Sequence, residues 1–467
     1  MGVSISGWQL ARAVSERGQL GVVSGTALDC VLSRRLQDGD PGGHIRRALE
    51  AFPDTDMADR ILKRYFLEGG KDPDKSYRSI PLQSPKFART SVELLILSNF
   101  VEVWLAREGH SGIVGVNYLE KIQLAHLPSI YGAMLAGVDY VLMGAGIPLK
   151  IPGILDLFVN HEPATYPLPV TDGDRTENFI MNFDPGKFLQ VPSEPLKRPE
   201  FLPIISSNVL ALTLSRKANG SVNGFIVEGP TAGGHNAPPR GAMELDESGE
   251  PIYGKRDEVN LEKLGEIGLP FWVAGGSASP EKLREVLDQG GAGIQVGSAF
   301  ALCEESGMEV GIRKKLLDMV MKGVARVFTD PVASPTGFPF KVAQLGETLS
   351  DPDVYRKRTR CCDLGYLREA YRRPDGEIGY RCPSEPVADF LKKGGGEKAT
   401  EGRKCICNSL ASTAGFSQVR KDGEKENPIV TCGSELSEVL RFISPGRVSY
   451  NVADVLDQLL GKPAVAF

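Results

Sequence analysis

Apolar residues fall in short runs along this chain, at residues 21–24, 112–117, 140–143, 202–207, 224–229, 271–276 and 293–298. Runs of this length without regular polar alternation mark strands covered on both faces, the condition of a parallel sheet clad in helices. The stretches between them carry a helical period. After residues 271–276, Ser279 is placed to cap, Pro280 suits the first helical position, Leu283, Val286 and Leu287 share a face, and Gly290-Gly291 ends the helix. The repeated strand–helix unit predicts an α/β fold. Seven strands can be counted, and Met1-Gly2-Val3-Ser4-Ile5-Ser6-Gly7-Trp8 reads as a strand end entering a helix over residues 9–16. Closure of an eight-stranded barrel therefore needs a strand just before Met1, or another way of covering two sheet edges.

Two connections are longer than a βα turn requires. Residues 26–111 hold a charged helical stretch at 44–67, a polar loop at 68–78 and a long amphipathic helix at 91–108. Residues 145–201 are rich in Pro and Asn, with a candidate hairpin formed by 167–171 and 179–182. Long barrel insertions commonly shape a substrate pocket. From residue 349 the pattern turns Arg-rich, Cys-rich and Gly-containing. The expected organisation is a barrel at 1–348, with insertions at about 26–111 and 145–201, followed by a Cys-rich, α-helical to irregular subdomain at 349–467.

Charge narrows the function classes. With 54 Lys and Arg against 59 Asp and Glu the net charge is -5, so the basic footprint of a general nucleic-acid binder is missing. The most apolar stretch, residues 127–159, is broken by Asp139, Lys150 and several Gly and Pro, which suits barrel segments rather than a membrane span. No basic, then apolar leader opens the sequence, so a cytoplasmic location is expected. Six of eight cysteines, Cys361, Cys362, Cys382, Cys405, Cys407 and Cys432, crowd the last quarter. Zinc or iron–sulfur ligands usually include a Cys-x-x-Cys pair, which is absent here. Buried thiols are the favoured reading, with Cys362, Cys382, Cys405 and Cys407 as the candidates should a metal or cluster bind.

Chemistry concentrates at three strand ends. Gly224-Phe225-Ile226-Val227-Glu228 runs into Gly229-Pro230-Thr231-Ala232-Gly233-Gly234-His235, a glycine turn that presents one titratable ring. Two later runs end in Gly275-Gly276 and Gly297-Ser298, whose paired amides suit a phosphate dianion laid across adjacent strand ends. Ala232-Gly233-Gly234-His235, Ala274-Gly275-Gly276 and Gln295-Val296-Gly297-Ser298, in this order, resemble the nitronate monooxygenase family. These enzymes, once called 2-nitropropane dioxygenases, are related to flavin enoyl-acyl-carrier-protein reductases and to trans-acting enoyl reductases of polyunsaturated fatty acid synthesis. Met1-Gly2-Val3-Ser4 and Leu20-Gly21-Val22-Val23-Ser24 look like that family's start, and Gly115-Val116-Asn117 like its third-strand signature. Cys405-Ile406-Cys407-Asn408-Ser409-Leu410 looks like an element of its longer members. The resemblance covers residues 1–341 in pieces and leaves both insertions unmatched.

The resemblance implies a (β/α)8 TIM barrel with FMN over its C-terminal mouth. It assigns cofactor contacts to Gly2, Val3, Asn117, Gly233, Gly234, Gly275, Gly276, Gly297 and Ser298, and makes His235 the catalytic histidine. Arg240, in the stiff Asn236-Ala237-Pro238-Pro239-Arg240 turn, and Lys341, closing the rigid loop 334–341, are candidate contacts for an anionic substrate. His44, His110, His126 and His161 lack metal spacing and read as structural. Three functions compete. A nitronate monooxygenase oxidises an alkyl nitronate with O2 to a carbonyl compound and nitrite, without a nicotinamide. An enoyl-thioester reductase draws on NAD(P)H, and for it the basic stretch from Arg356 to Arg373 is the expected docking face for an acyl carrier protein. A flavin-binding barrel without turnover is the third. The first is expected; neither substrate identity nor oligomeric state follows from the sequence.

Overall fold

The computed structural model describes residues 2–173 and 179–461. Seven strands form one parallel sheet in which each pairs with the next in the chain: β1 Gly21–Ser24, β2 Val114–Leu119, β3 Tyr140–Gly144, β4 Glu200–Ile205, β5 Phe225–Glu228, β6 Phe271–Ala274 and β7 Gly293–Gln295. Sequential order with no strand exchange is the winding of a TIM barrel. The interior confirms that the sheet curls. Val22 on β1, Leu142 on β3, Leu202 on β4, Ile226 on β5 and Trp272 on β6 gather in one apolar cluster. A flat sheet would hold β1 and β6 about 24 Å apart, five strand spacings. The alternate side chains point outward: Val23, Val116, Val141, Met143 and Phe201 pack under the helices, as do Phe225, Val227 and Phe271 on the other side.

Among the described residues no eighth strand joins β1 to β7. Residues 2–7 cross that gap at the mouth instead. Ser24 donates its N–H to Ser6 O (2.8 Å) and its hydroxyl to Gly2 O (2.7 Å), while Gly307, beyond β7, donates its N–H to Ile5 O (2.9 Å). Met1, where the family resemblance begins, lies outside the described residues.

The first insertion is helical, and its long helix, Arg89–Arg107, is not amphipathic as expected but buried around most of its circumference. Helices Trp8–Glu16, Leu28–Gln37 and Gln123–Leu135 pack on it from several sides. Burial on all sides requires its internal charges to be paired. Glu93 is met by Arg60 and Arg89, and Glu102 by Arg35. In the second insertion Ala164–Leu168 pairs antiparallel with Phe179–Phe183, close to the expected hairpin. Val170–Thr171 leaves that hairpin and pairs in parallel with Glu369–Arg372. Tail residues also share apolar clusters with the barrel: Leu436, Phe442 and Tyr450 pack with Ile5 and Leu302, while Ile406 and Leu410 pack with Val3 and Phe340. Among the described residues no helix is long and apolar enough to cross a membrane.

One glycine sets the closest helix contact. A Cβ at Gly132, on Gln123–Leu135, would lie 2.2 Å from the backbone oxygen of Ile96 on the buried helix. Neither backbone can yield without losing its own helical bonds. Gly132→Ala is expected to lower the unfolding free energy by about 1–3 kcal/mol, read as a reduced urea midpoint; an unchanged midpoint would show that the helices separate freely.

Candidate functional site

Side-chain alternation brings polar groups to the barrel mouth. Counting inward positions from Val22 and Ile226 places Ser24 and Glu228 on the interior face at the ends of β1 and β5. Asn117 pairs with Ser24 across β1 and β2, and Glu228 pairs with Ala274 across β5 and β6. Beyond Glu228 the chain enters the turn to His235.

That turn is held from two sides. Lys341 donates its N–H to Gly234 O, and Asn236 donates its N–H to Pro339 O, each at 2.9 Å. On the opposite side the Gly234 N–H donates to Thr431 Oγ1 (2.8 Å), and the Ser434 N–H donates to Thr231 O (3.0 Å). A Cβ at Gly233 would meet the Cys432 carbonyl carbon at 2.8 Å, so this close crossing requires glycine. His235 is then fixed by its neighbours. Its Nε2 hydrogen-bonds Ser334 Oγ (2.7 Å), which also bonds Thr336 Oγ1 (2.8 Å), and its ring meets the edge of Phe340 at 4.8 Å between centroids. Nδ1 has no partner among the described residues and is the nitrogen left for a ligand.

Burial acts oppositely on the two titratable groups at this strand end. Desolvation depresses His235 to about 3, so the ring is neutral at pH 7. The same effect raises the Glu228 carboxyl to about 7. No described residue donates a hydrogen bond to Glu228. It lines a cleft with Ser206, Asn236, Arg240, Tyr253 and Asp257, the last accepting the Arg240 N–H (2.8 Å). Arg240 is exposed and spends one donor on Ser206 O (3.3 Å). Asn236 is buried, and its Oδ1 finds no donor among the described residues.

The other two strand ends form a second feature, beside the first. Gly275 and Gly276 turn the chain after β6 with φ of 94° and 62°, values that disfavour a side chain. The N–H groups of Gly276, Gly297 and Ser298 reach no acceptor among the described residues, and a Cβ at Gly297 would meet open space. Ser298 Oγ accepts the Gly433 N–H (2.7 Å), which leaves its own proton to donate. Three amides and a hydroxyl at adjacent strand ends make an anion cradle.

Several expected contacts lie elsewhere. Lys341 contributes its backbone to the His235 turn, but its ammonium is buried on Thr329 Oγ1 (2.6 Å), away from the cleft. Burial lowers its pKa. Gly2 and Val3, by contrast, stay at the mouth in the gap between β1 and β7, where Gly2 O accepts from the inward-facing Ser24 and Val3 packs in the cluster that contains Phe340. Cys362, Cys382, Cys405 and Cys407 form no metal-holding group among the described residues. Contact with Cys382, then burial, raises the Cys362 thiol, and burial raises Cys405 and Cys407. The basic stretch divides: Arg356, Lys357 and Arg373 are exposed, while three others are engaged within the chain. Arg358 pairs with Glu426, Arg360 donates to Thr400 O (2.8 Å), and Arg368 lies over the Tyr380 ring. His44, His110, His126 and His161 have structural partners: Trp8, Ala106 O, Leu119 O and the Tyr131 hydroxyl.

Sequence reasoning missed Glu228, Ser334 as the partner of His235, and the segment Thr431–Glu435. Period-two counting from Ile226 would have found the first; the others depend on tertiary contacts over about a hundred residues or more in the chain.

Glu228 carries a stability prediction. In the fold it keeps its proton up to about pH 7, whereas an unfolded chain loses it near 4.5. The stabilisation is therefore complete below the unfolded value and is lost as pH rises through about 7. Glu228→Gln is expected to raise the melting temperature relative to the parent at pH 8 and not at pH 4; a pH-independent difference would show that Glu228 ionises normally.

Comparison with known proteins places this arrangement. Residues 201–333 match the family model described as nitronate monooxygenase. A probable nitronate monooxygenase of Bacillus subtilis is 31% identical over 93 residues, 20% of this chain and 25% of that protein. A nitronate monooxygenase of Pseudomonas aeruginosa is 33% identical over 115 residues, 24% of this chain and 31% of that protein. The matched stretch thus spans a third or less of either relative. The solved structure of FabK from Thermotoga maritima aligns with 98% of this chain and 89% of its own at 14% identity and a TM-score of 0.46. The histidine turn, both glycine strand ends and Ser334's neighbour Ala333 fall inside or at the edge of residues 201–333, the stretch that matches the nitronate monooxygenase family model.

Proposed function

We propose that this protein is an FMN-dependent oxidoreductase that oxidises alkyl nitronates with O2 to a carbonyl compound and nitrite. The observation that carries the reading is the pairing of a neutral, rigidly held His235 with a cleft whose cation is Arg240, next to a separate anion cradle. The residues fit the cofactor. Gly276, Gly297 and Ser298 have unspent donors for its phosphate, and Asn236 Oδ1 is a buried acceptor awaiting a donor. When bound, FMN supplies the redox step, accepting electrons from the substrate and returning them to O2.

The protein's own groups bind and orient the substrate. The planar nitronate suits the fork of a guanidinium, and Arg240 supplies the positive charge in the cleft. His235 Nδ1 is the ring nitrogen that Ser334 leaves unbonded. Because the ring is neutral it polarises by hydrogen bonding and does not trap the anion as a salt. Glu228, protonated below about pH 7, adds a donor where a carboxylate would repel the substrate. In the basic stretch expected to dock an acyl carrier protein under the enoyl-reductase reading, Arg358, Arg360 and Arg368 are engaged within the chain while Arg356, Lys357 and Arg373 are exposed.

Three measurements test the reading. In an anaerobic absorption titration, a preformed alkyl nitronate is expected to bleach the oxidised flavin bands while NADPH and NADH do not; prompt bleaching by either nicotinamide moves the assignment to an enoyl-thioester reductase. His235→Ala should keep bound flavin and lose turnover by about 100-fold or more, and full activity in that variant refutes the role of the histidine. With preformed nitronate, kcat/KM should fall as pH rises through about 7, where Glu228 ionises, and Glu228→Gln should remove that limb. A limb that persists in Glu228→Gln belongs to another group.

A further inference from the structure

The anion cradle already has a carboxylate of this chain leaning over it. Residues Thr431–Glu435 form a strap across the turns after β5, β6 and β7. The strap is bonded to Gly234 through Thr431, to Ser298 through Gly433 and to Thr231 through Ser434. Its last residue sits directly at the glycine turn. A Cβ at Gly276 would lie 2.6 and 2.7 Å from the two Glu435 carboxylate oxygens. No cation compensates it. Glu435 has no ion pair among the described residues, and Arg441, six residues on, is engaged by Glu438 and Glu281. The carboxylate is exposed, so it is free to turn away.

We infer that Glu435 sets the charge selectivity of the cofactor cradle, its carboxylate at the Gly276 turn opposing by like charge an FMN phosphate seated on the free amides of Gly276, Gly297 and Ser298. The inference rests on the flavin reading above. A dianionic phosphate seated on those amides lies within a few ångströms of a like charge, and the repulsion opposes binding unless the side chain swings out. The strap cannot retreat as a whole, since its backbone holds the His235 turn, so the adjustment falls on the one side chain. Neutral riboflavin, lacking the phosphate, meets no such repulsion. The bound state of the cradle is thereby coupled to the position of a residue in the C-terminal quarter.

The test uses the full-length chain freed of flavin, with FMN and riboflavin binding followed by flavin fluorescence. Glu435→Gln is expected to bind FMN about tenfold more tightly at low salt while its riboflavin affinity stays within about twofold of the parent. The gain should shrink in about 1 M salt, where charges are screened beyond about 3 Å, and Glu435→Asp, which keeps the charge, should not show it. Equal FMN affinities in parent and Glu435→Gln, or an equal gain for riboflavin, overturn the inference and leave the flavin reading standing. If neither folded protein changes FMN fluorescence, the flavin reading falls and the inference with it.

Discussion

The turn that carries His235 has no secondary structure of its own, and the site depends on the hydrogen bonds that impose its shape from either side. Gly234 is the pivot: its carbonyl accepts from Lys341 and its N–H donates to Thr431. An amide left unbonded in this partly buried place costs about 1–3 kcal/mol, so both partners are specified rather than incidental. One partner stands at the end of the barrel sequence and the other in the last forty residues. The His235 ring is therefore set by contacts that close only when the whole chain has folded.

Desolvation does the rest. At its ordinary value the Glu228 carboxyl would be ionised at neutral pH and the His235 ring would take up a proton just below it. Burial shifts each toward its uncharged form, depressing the imidazole and raising the carboxyl. The cleft keeps Arg240 as its cation, beside Asp257, whose side chain accepts the Arg240 N–H (2.8 Å). A small anion can enter such a cleft without displacing an internal salt bridge, and the protonation of Glu228 tunes how welcome it is.

The fold was legible where packing repeats. All seven strands stand within a few residues of the apolar runs, because strands covered on both faces write their burial directly into sequence. The helix Arg89–Arg107 was placed correctly, but its environment was not: Glu93 and Glu102 look like a polar face until Arg60, Arg89 and Arg35 are seen to neutralise them. At the site, glycines and a histidine announce themselves by composition. Glu228 did not, since a single acid at the end of an apolar run resembles a solvated strand end. Lys341 misled in the other direction; its position in a stiff loop suggested a ligand contact, whereas its side chain is consumed by Thr329.

The tail's charge likewise reads differently in three dimensions. Its arginines looked like a surface for an acidic partner, yet Arg358 and Arg420 converge on Glu426, and Arg420 reaches Asp363, which also accepts from Asn408 of the Cys-x-Cys-Asn element (2.6 Å). Glu426 and Arg358 are buried, with side chains 2% and 7% exposed, so losing either partner would strand a charge. A buried ion cluster of this kind adds little net stability, but it fixes one register of the chain. Five residues after Glu426 comes Thr431, and between them Val430 O accepts from Ala343 (2.8 Å). The network thus anchors the start of the strap that positions Gly234 and Glu435, and the inward-facing charges of the tail bear on the His235 turn through geometry.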